Sequence, residues 1–228
     1  MKKNWTMRVG VSLLALTLIT SCFVGGTFAK YTTSGKGEDS ARVAKFGVSV
    51  TGTGTTFATS YNADDSSYTG VTVSSTEKVV APGTKGDMAA FTITGTPEVA
   101  VKVTYEATEF ELGDNWKVNK TSEGEDGQLT TEEVYYCPLE IKVGTTTYKG
   151  KDYQSADEFE TAVKNAIAAY SKTYAPGTDL STKGDDKLAV SWAWEFDGND
   201  DERDTQLGNA TTAATISLKV TATVTQID

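Results

Sequence analysis

Residues 188–196 read LAVSWAWEF, and every second side chain in this stretch is apolar. Successive side chains of a β-strand alternate between its two faces, so this period of two predicts a half-buried strand. The two tryptophans could serve as platforms for sugar stacking, but their place in an apolar row favours packing in a core. The row predicted to face that core is Leu188, Val190, Trp192, Trp194 and Phe196.

The C-terminal segment repeats the same period, with an apolar row opposed by Ser, Lys and Thr. That row is Ile216, Leu218, Val220, Ala222 and Val224. A third such strand runs from Val99 to Tyr105. Shorter strands are predicted at 46–51, 68–74, 89–94, 116–119, 139–143 and 145–148, with turns at Pro82-Gly83 and Gly144. About nine strands with little helix indicate an all-β protein, an antiparallel β-sandwich of jelly-roll or immunoglobulin-like type.

One segment departs from the period of two. Ser155 and Glu158 form a capping-box pattern, and apolar residues then recur at helical spacing. We expect one amphipathic helix at about 156–171, inserted between strands and packed on an edge or open end of the sandwich. The residues at helical spacing are Phe159, Val163, Ala166, Ile167 and Tyr170.

Two acidic or polar segments are predicted to be loops. Residues 121–131 read as an exposed loop. In residues 197–204 the oxygen-bearing side chains alternate like the first ligands of a calcium loop, and the candidate ligands are Asp197, Asn199, Asp201 and Asp204. Glu202 stands where an EF-hand needs glycine, and Gly208 stands where it needs a bidentate glutamate, so a solvated loop is the favoured interpretation.

Composition excludes several kinds of chemistry. The chain has no histidine, so it lacks the base of Ser-His-Asp and Cys-His sites and the ligands of a His-Glu-x-x-His zinc site. Carboxylate chemistry stays open in principle, but Glu109, Glu111, Glu132 and Glu133 are better explained as solvated surface. We therefore predict no enzyme and no cofactor other than the calcium candidate. A net charge of −10 disfavours binding to nucleic acid or anionic lipid.

The N-terminus has the pattern of a secretion signal: basic residues, an apolar run from Val9, and small residues placed for cleavage between Ala29 and Lys30. Two alternatives are acylation at Cys22 and an uncleaved anchor, which would be the one contact with a membrane. After cleavage Cys137 is alone, so no intrachain disulfide is expected.

Four stretches carry a resemblance to a known family. They are Gly25-Gly26-Thr27-Phe28-Ala29-Lys30-Tyr31, Ala41-Arg42-Val43-Ala44-Lys45-Phe46-Gly47-Val48, Ala81-Pro82-Gly83-Thr84-Lys85-Gly86-Asp87, and a C-terminal stretch made of the tryptophan strand, an acidic loop, Leu207-Gly208-Asn209 and the long C-terminal strand. Together they resemble the SipW-dependent exported proteins of Gram-positive bacteria, the TasA and camelysin (CalY) family. The last stretch looks like that family's closing hairpin. Camelysin has been classed with metallopeptidases, and the absence of histidine argues against that activity here.

The resemblance implies a jelly-roll sandwich that forms biofilm-matrix or cell-surface fibres, secreted after cleavage by a SipW-type signal peptidase. It implies three parts: a signal peptide (1–29), an extended segment (30–45) that adds as a donor strand to the next subunit, and one β-sandwich domain (46–228). The implied partner is the chain itself, and a related matrix protein is a further candidate. The alternatives are an unstructured N-terminal tail and a monomeric surface adhesin or ligand-binding module. The donor residues would be Lys30, Tyr31, Thr32, Thr33 and Ser34, with Val43 and Phe46 as anchors.

Overall fold

A computed structural model describes residues 42–53, 57–62, 71–196 and 199–227. The chain divides into two compact units, residues 1–44 and 45–228. Arg42, Val43 and Ala44 are the described part of the first unit, and they form no helix or strand.

The second unit is built from antiparallel strands, as the alternating sequence predicts. Its elements are β1 (Ser49–Thr53), β2 (Ala58–Tyr61), β3 (Val73–Val79), β4 (Lys85–Thr94), β5 (Val101–Leu112), β6 (Lys117–Glu123), β7 (Leu129–Tyr135), β8 (Leu139–Val143), β9 (Thr146–Lys149), α1 (Ala156–Ala169), β10 (Ser171–Tyr174), β11 (Val190–Trp194), α2 (Asp201–Gly208) and β12 (Ile216–Gln226).

Two main sheets form the sandwich. One has the strand order β1-β4-β11-β8-β9 and the other has the order β10-β5-β12. The rings of Phe91 on β4 and Tyr105 on β5 meet across the core, with 5.5 Å between their centroids. Two further pairs, β2-β3 and β6-β7, are separate two-stranded ribbons. The all-β sandwich predicted from the sequence is confirmed.

The tryptophan strand lies at the centre of the five-stranded sheet. β11 pairs with β4 on one side and with β8 on the other. Trp192 is 2% exposed and packs against Phe57 and Tyr61, with ring centroids 5.3 and 6.2 Å away. The predicted preference for core packing over sugar stacking is therefore confirmed for both tryptophans, since Trp194 is also buried.

Helix α1 begins as the capping pattern predicts. The Ser155 hydroxyl accepts a hydrogen bond from the Glu158 amide (3.2 Å), and the Glu158 carboxylate accepts one from the Gln154 amide (3.0 Å). Phe159, Val163 and Ile167 are buried. The Phe159 ring meets Phe110 of β5 at 5.8 Å, and the helix also approaches β8 and β9. It thus bridges the two sheets at one side of the sandwich, and it ends two residues before the predicted boundary.

The structure corrects several local predictions. Residues 121–131 are exposed as predicted, but only 124–128 form the connecting turn, in which Gly127 has a φ of +75°. On either side of it β6 and β7 pair as a ribbon. Hydroxyl pairs across the ribbon, Thr121 with Thr131 and Ser122 with Thr130, lie 3.1 and 3.2 Å apart. The acidic composition of this segment gives no sign of the ribbon, because its two strands are held together by backbone hydrogen bonds and by contacts between hydroxyl groups.

Other boundaries also shift. Phe196, predicted to face the core, lies past the end of β11 and is 61% exposed. The last residue of the strand is Trp194, whose amide donates to the Thr84 carbonyl and whose carbonyl accepts from the Gly83 amide. Both partners lie in the turn before β4. Strands β2, β7 and β10 are not among those predicted, and the strand predicted at 68–74 lies at 73–79 instead, with residues 63–70 outside the described ranges.

The resemblance to a closing hairpin is also corrected. β11 belongs to the five-stranded sheet and β12 to the three-stranded sheet, so the two strands do not pair with each other. A helix, α2, lies between them in the chain where the sequence predicts a solvated loop.

Candidate assembly edge

Strand β12 forms one border of the three-stranded sheet. It pairs with β5 along its whole length, and no described strand is hydrogen-bonded to its other side. At 11 residues it is the longest of the four outer strands of the two main sheets. An unpaired edge of this length presents a row of backbone N–H and C=O groups that can accept another strand.

The apolar row of β12 faces inward but is only half covered. Its residues Leu218, Ala222 and Val224 stand opposite Phe110, Tyr105 and Val103 of β5, and directly paired residues share a face. Those three β5 partners are buried, whereas every member of the β12 row is of intermediate exposure. The predicted orientation is thus confirmed, while the expected burial is incomplete because no described strand covers this border.

Strand β1 borders the other sheet in a similar way. It pairs with β4 and lies beside β12 at one corner of the sandwich. Val50 stands opposite Ile93, yet Ile93 is 2% exposed and Val50 is 38% exposed. The two sheet borders that meet at this corner therefore both leave inward-facing apolar surface partly open to water.

The chain leading into β1 is fastened to the sandwich from Lys45 onward. The Lys45 carbonyl accepts a hydrogen bond from the Glu98 amide, and the Lys45 amide donates to the Glu98 carboxylate, both at 2.9 Å. Gly47 then crosses Gly95 so closely that any side chain on Gly95 would overlap with the Gly47 carbonyl. Gly95 has a φ of +121°, which glycine alone adopts without strain. This crossing fixes where β1 begins.

The predicted N-terminal site residues fall into two groups. Ala29, the cleavage residue, and the donor residues Lys30, Tyr31, Thr32, Thr33 and Ser34 lie outside the described residues. Val43 is 90% exposed and Phe46 is 40% exposed. Phe46 precedes β1, and the predicted strand 46–51 is shifted to Ser49–Thr53.

The three described calcium candidates, Asn199, Asp201 and Asp204, have different surroundings. Asp197 lies outside the described residues, Asn199 is exposed, and Asp201 opens helix α2. Both carboxylate oxygens of Asp204 accept hydrogen bonds, from the Tyr136 hydroxyl at 2.7 Å and from the Trp194 indole at 3.1 Å. Over the described part of the chain, no group of three His, Cys, Asp or Glu side chains could hold a metal ion.

Asp204 instead fastens helix α2 to the sandwich. Tyr136 and Trp194 are both buried, so their O–H and N–H donors need a partner inside the protein. Two residues further along, the Gln206 side-chain oxygen accepts a hydrogen bond from the Asn119 backbone amide of β6, at 2.8 Å. The sequence offers little sign of this arrangement, because an acidic, polar segment of eight residues has the composition of a solvated loop.

Cys137 is insulated from solvent. The residue is fully buried, and burial raises the pKa of its thiol to about 12. Gly150 lies so near that a Cβ there would overlap with the Cys137 carbonyl and thiol. Burial likewise raises the pKa of the neighbouring Tyr135, with the nearby Cys137 thiol as a further cause. A buried, protonated thiol is a poor nucleophile.

The carboxylates considered for hydrolysis are all exposed, and one of them, Glu133, lines the open cleft between β6 and α2. Glu109 and Glu111 are exposed on β5, and Glu132 and Glu133 are exposed on β7. Their placement agrees with the solvated surface predicted from composition.

No family model, curated protein or solved structure matches the chain. Within the described ranges, no helix has both the length and the apolar character needed to cross a bilayer.

Proposed function

We propose that the chain is a secreted structural subunit of an extracellular fibre, of the kind formed by the TasA and camelysin family, and that it performs no catalysis. Subunits join head to tail when the N-terminal segment of one copy adds as a strand to the next. The observation that carries this proposal is the border at β12, where 11 residues of strand lack a second neighbour among the described strands and an apolar row is half covered.

The donor and the acceptor match in length. Residues 30–40 span 11 positions and β12 spans 11 residues, so an extended donor of roughly 36 Å, at about 3.3 Å per residue, would cover the whole border. Main-chain hydrogen bonds would supply the affinity, and a head-to-tail contact that does not close yields filaments. Val43, at 90% exposed, lies just beyond this donor and is available to contact a neighbouring copy.

The proposed geometry also explains why the donor can be polar. The half-covered row on β12 already supplies apolar side chains from the acceptor side. A donor rich in Thr, Ser and Gly contributes chiefly backbone groups, and it has little apolar surface to bury on its own subunit.

The test compares two mature chains by electron microscopy and light scattering, one that begins at Lys30 and one that begins at Ala41. The first should form filaments and the second should stay a folded monomer. A synthetic peptide of residues 30–40 should bind the shortened chain with a stoichiometry of one and inhibit filament growth by the longer chain. A matched control peptide carries the same residues with Thr32 and Ser34 replaced by proline, which removes two backbone donors.

Filaments of unchanged number and form from the shortened chain would overturn the donor-strand mechanism. A monomeric mature chain that captures a glycan or a peptide would favour the alternative of an adhesin or ligand-binding module.

A further inference from the structure

The β6-β7 ribbon has two outer edges, and the structure protects them in different ways. All but three of its 14 strand residues are exposed: Val118 is buried, and Val134 and Tyr135 are of intermediate exposure. A ribbon this open is a ready template for pairing with another chain unless its edges are blocked.

The β7 edge is protected by charge. Glu132 and Glu133 are adjacent on this strand, which carries no cation. If two copies paired antiparallel along β7 with Glu132 at the centre, each Glu132 would face its counterpart, and each Glu133 would lie on the opposite face across from Thr131. The two Glu132 carboxylates repel each other and no oppositely charged pair on this strand compensates, so self-pairing along β7 is disfavoured.

The β6 edge has no such protection in its sequence. An antiparallel pair of β6 strands centred on Lys120 places Lys117 of each copy opposite Glu123 of the other, which gives two attractive pairs. The central Lys120 residues face each other as the Glu132 residues would on β7, and the pairing of Lys120 with Glu132 within each ribbon offsets both repulsions alike. The two edges therefore differ by the pairs of Lys117 with Glu123, which β7 lacks. Charge therefore favours a second copy of this strand as the partner of β6.

Helix α2 occupies that edge in the folded monomer. Asn119 is opposite Glu133 of β7, but its amide points away from β7 and donates to the Gln206 side chain. Gln206 thus takes the place of a backbone carbonyl from a neighbouring strand. The helix is held there through Asp204, which binds Tyr136 and Trp194.

The helix covers only part of the edge. An open cleft of about 1160 Å³ adjoins β6 and α2, and it is lined mostly by polar side chains, among them Lys117, Lys120, Arg203 and Gln206. Solvent therefore reaches the β6 edge on either side of the bond to Gln206. Displacing one short helix would suffice to expose the whole strand.

We propose that helix α2 reversibly covers the outer edge of β6, and that this edge is a second self-association surface, which pairs with β6 of another copy of the chain. The surface is distinct from the border at β12 and does not depend on the proposed donor strand. Loss of the Gln206 bond to Asn119 loosens the helix over this edge, and release of the Asp204 contacts frees the helix from it.

A disulfide trap tests the surface. Lys120 faces its counterpart at a position whose backbone groups bond to its own β7, so the two copies meet there as a non-hydrogen-bonded pair with Cα atoms about 4.5 Å apart, within disulfide range. Lys120→Cys is placed in the mature chain alone and together with Asp204→Asn or Gln206→Ala. Thr130→Cys on β7 in the same backgrounds is the matched control, because it keeps Glu132 and Glu133 on that edge. The parent chain reports any reaction of the buried Cys137.

We expect little crosslinked dimer from Lys120→Cys alone. Adding Gln206→Ala should raise the crosslinked fraction by roughly tenfold, since one net hydrogen bond is lost, and Asp204→Asn should raise it further. Thr130→Cys and the parent chain should stay monomeric on non-reducing gels. The chain that begins at Ala41 should give the same pattern, which separates this surface from donor-strand assembly.

Tryptophan fluorescence reports helix release in both variants, and hydrogen exchange of Asn119 reports it in Asp204→Asn, which keeps the Gln206 acceptor. Release of the helix with no rise in the Lys120→Cys dimer would overturn the self-association surface. Unchanged fluorescence in both variants, with Asn119 still protected in Asp204→Asn, would overturn the covering role of α2. If Asp204→Asn fails to fold, Gln206→Ala alone carries the test, because it leaves the buried contacts of Asp204 in place.

Discussion

Strands β11 and β12 share one sequence pattern and have different surroundings. Both alternate large apolar residues with small or polar ones, and both turn the apolar row inward. β11 has a neighbour on each side and its row of Val190, Trp192 and Trp194 is buried, whereas β12 has one described neighbour and its row is half covered. The period of a strand thus indicates which way its side chains point, while its lateral neighbours determine how much water they lose.

The largest effect should come from truncating the central strand. Trp192→Ala removes a side chain that is 2% exposed, and we expect it to lower the free energy of unfolding by about 3–5 kcal/mol. Leu218→Ala on β12 should cost only about 1–2 kcal/mol, because the side chain already keeps part of its contact with water. Urea denaturation of the monomeric chain that begins at Ala41 measures both. Equal losses in the free energy of unfolding would contradict the distinction between a strand at the centre of a sheet and a strand at its border.

The contact between helix α2 and the end of β11 should come next. Asp204→Ala leaves the Tyr136 hydroxyl and the Trp194 indole without their acceptor, at a cost of about 1–3 kcal/mol for each buried donor. Asp201→Ala on the same helix is the matched control, and its exposed side chain should matter by less than about 0.5 kcal/mol. Thermal denaturation in the presence of calcium chloride and of EDTA adds a second readout. Calcium stabilisation that Asp204→Ala abolishes would contradict the structural role given to this carboxylate.

A smaller effect is expected where the chain enters β1. Gly95→Ala combines a positive φ with an overlap on the Gly47 carbonyl, and we expect a loss of about 2–3 kcal/mol. Gly177 also has a positive φ, +75°, but a methyl group added there would have no atom within 4 Å. Its replacement by alanine should cost only about 1 kcal/mol. Chemical denaturation of the two variants separates backbone strain, which both share, from overlap with the Gly47 carbonyl, which only Gly95→Ala has. Equal losses in the free energy of unfolding would contradict the claim that this crossing anchors β1.

The smallest predicted effect concerns the buried thiol of Cys137. The thiol pKa is raised from 9.0 to about 12 in the folded chain, so its contribution to stability is fully present below pH 9 and is lost as the pH rises towards 12. Between pH 9 and 10 the parent should therefore lose up to about 1.4 kcal/mol more than Cys137→Ala. Urea denaturation of both chains at pH 8, 9 and 10 gives the difference. Parallel pH profiles would show that the thiol is not insulated.

Much of the fold could be predicted because strand period and helix capping are local. The alternation in residues 188–196 and 216–224 indicates the inner rows, and Ser155 with Glu158 marks the start of α1. In the ribbon at 117–135 only the start of β6 is predicted. The rest is missed because its stability comes from cross-strand pairs, such as Thr121 with Thr131, that no single strand reveals.

The candidate site is less predictable for a related reason. Whether β12 lies at a border depends on the order of strands in the sheet, and that order is set by contacts distant in sequence. The spacing of Asp204 from other acids suggests a calcium ligand, while its role depends on Tyr136 and Trp194, which come from two other parts of the chain.

Hydrogen–deuterium exchange of β11 and β12, in the monomer that begins at Ala41 and in assemblies of the chain that begins at Lys30, tests the central proposal most directly. The amides of β11 should be protected in both states. The amides of β12 that point away from β5 should exchange rapidly in the monomer and become protected on assembly. Assembly without any gain of protection along β12 would contradict the assignment of this border as the acceptor.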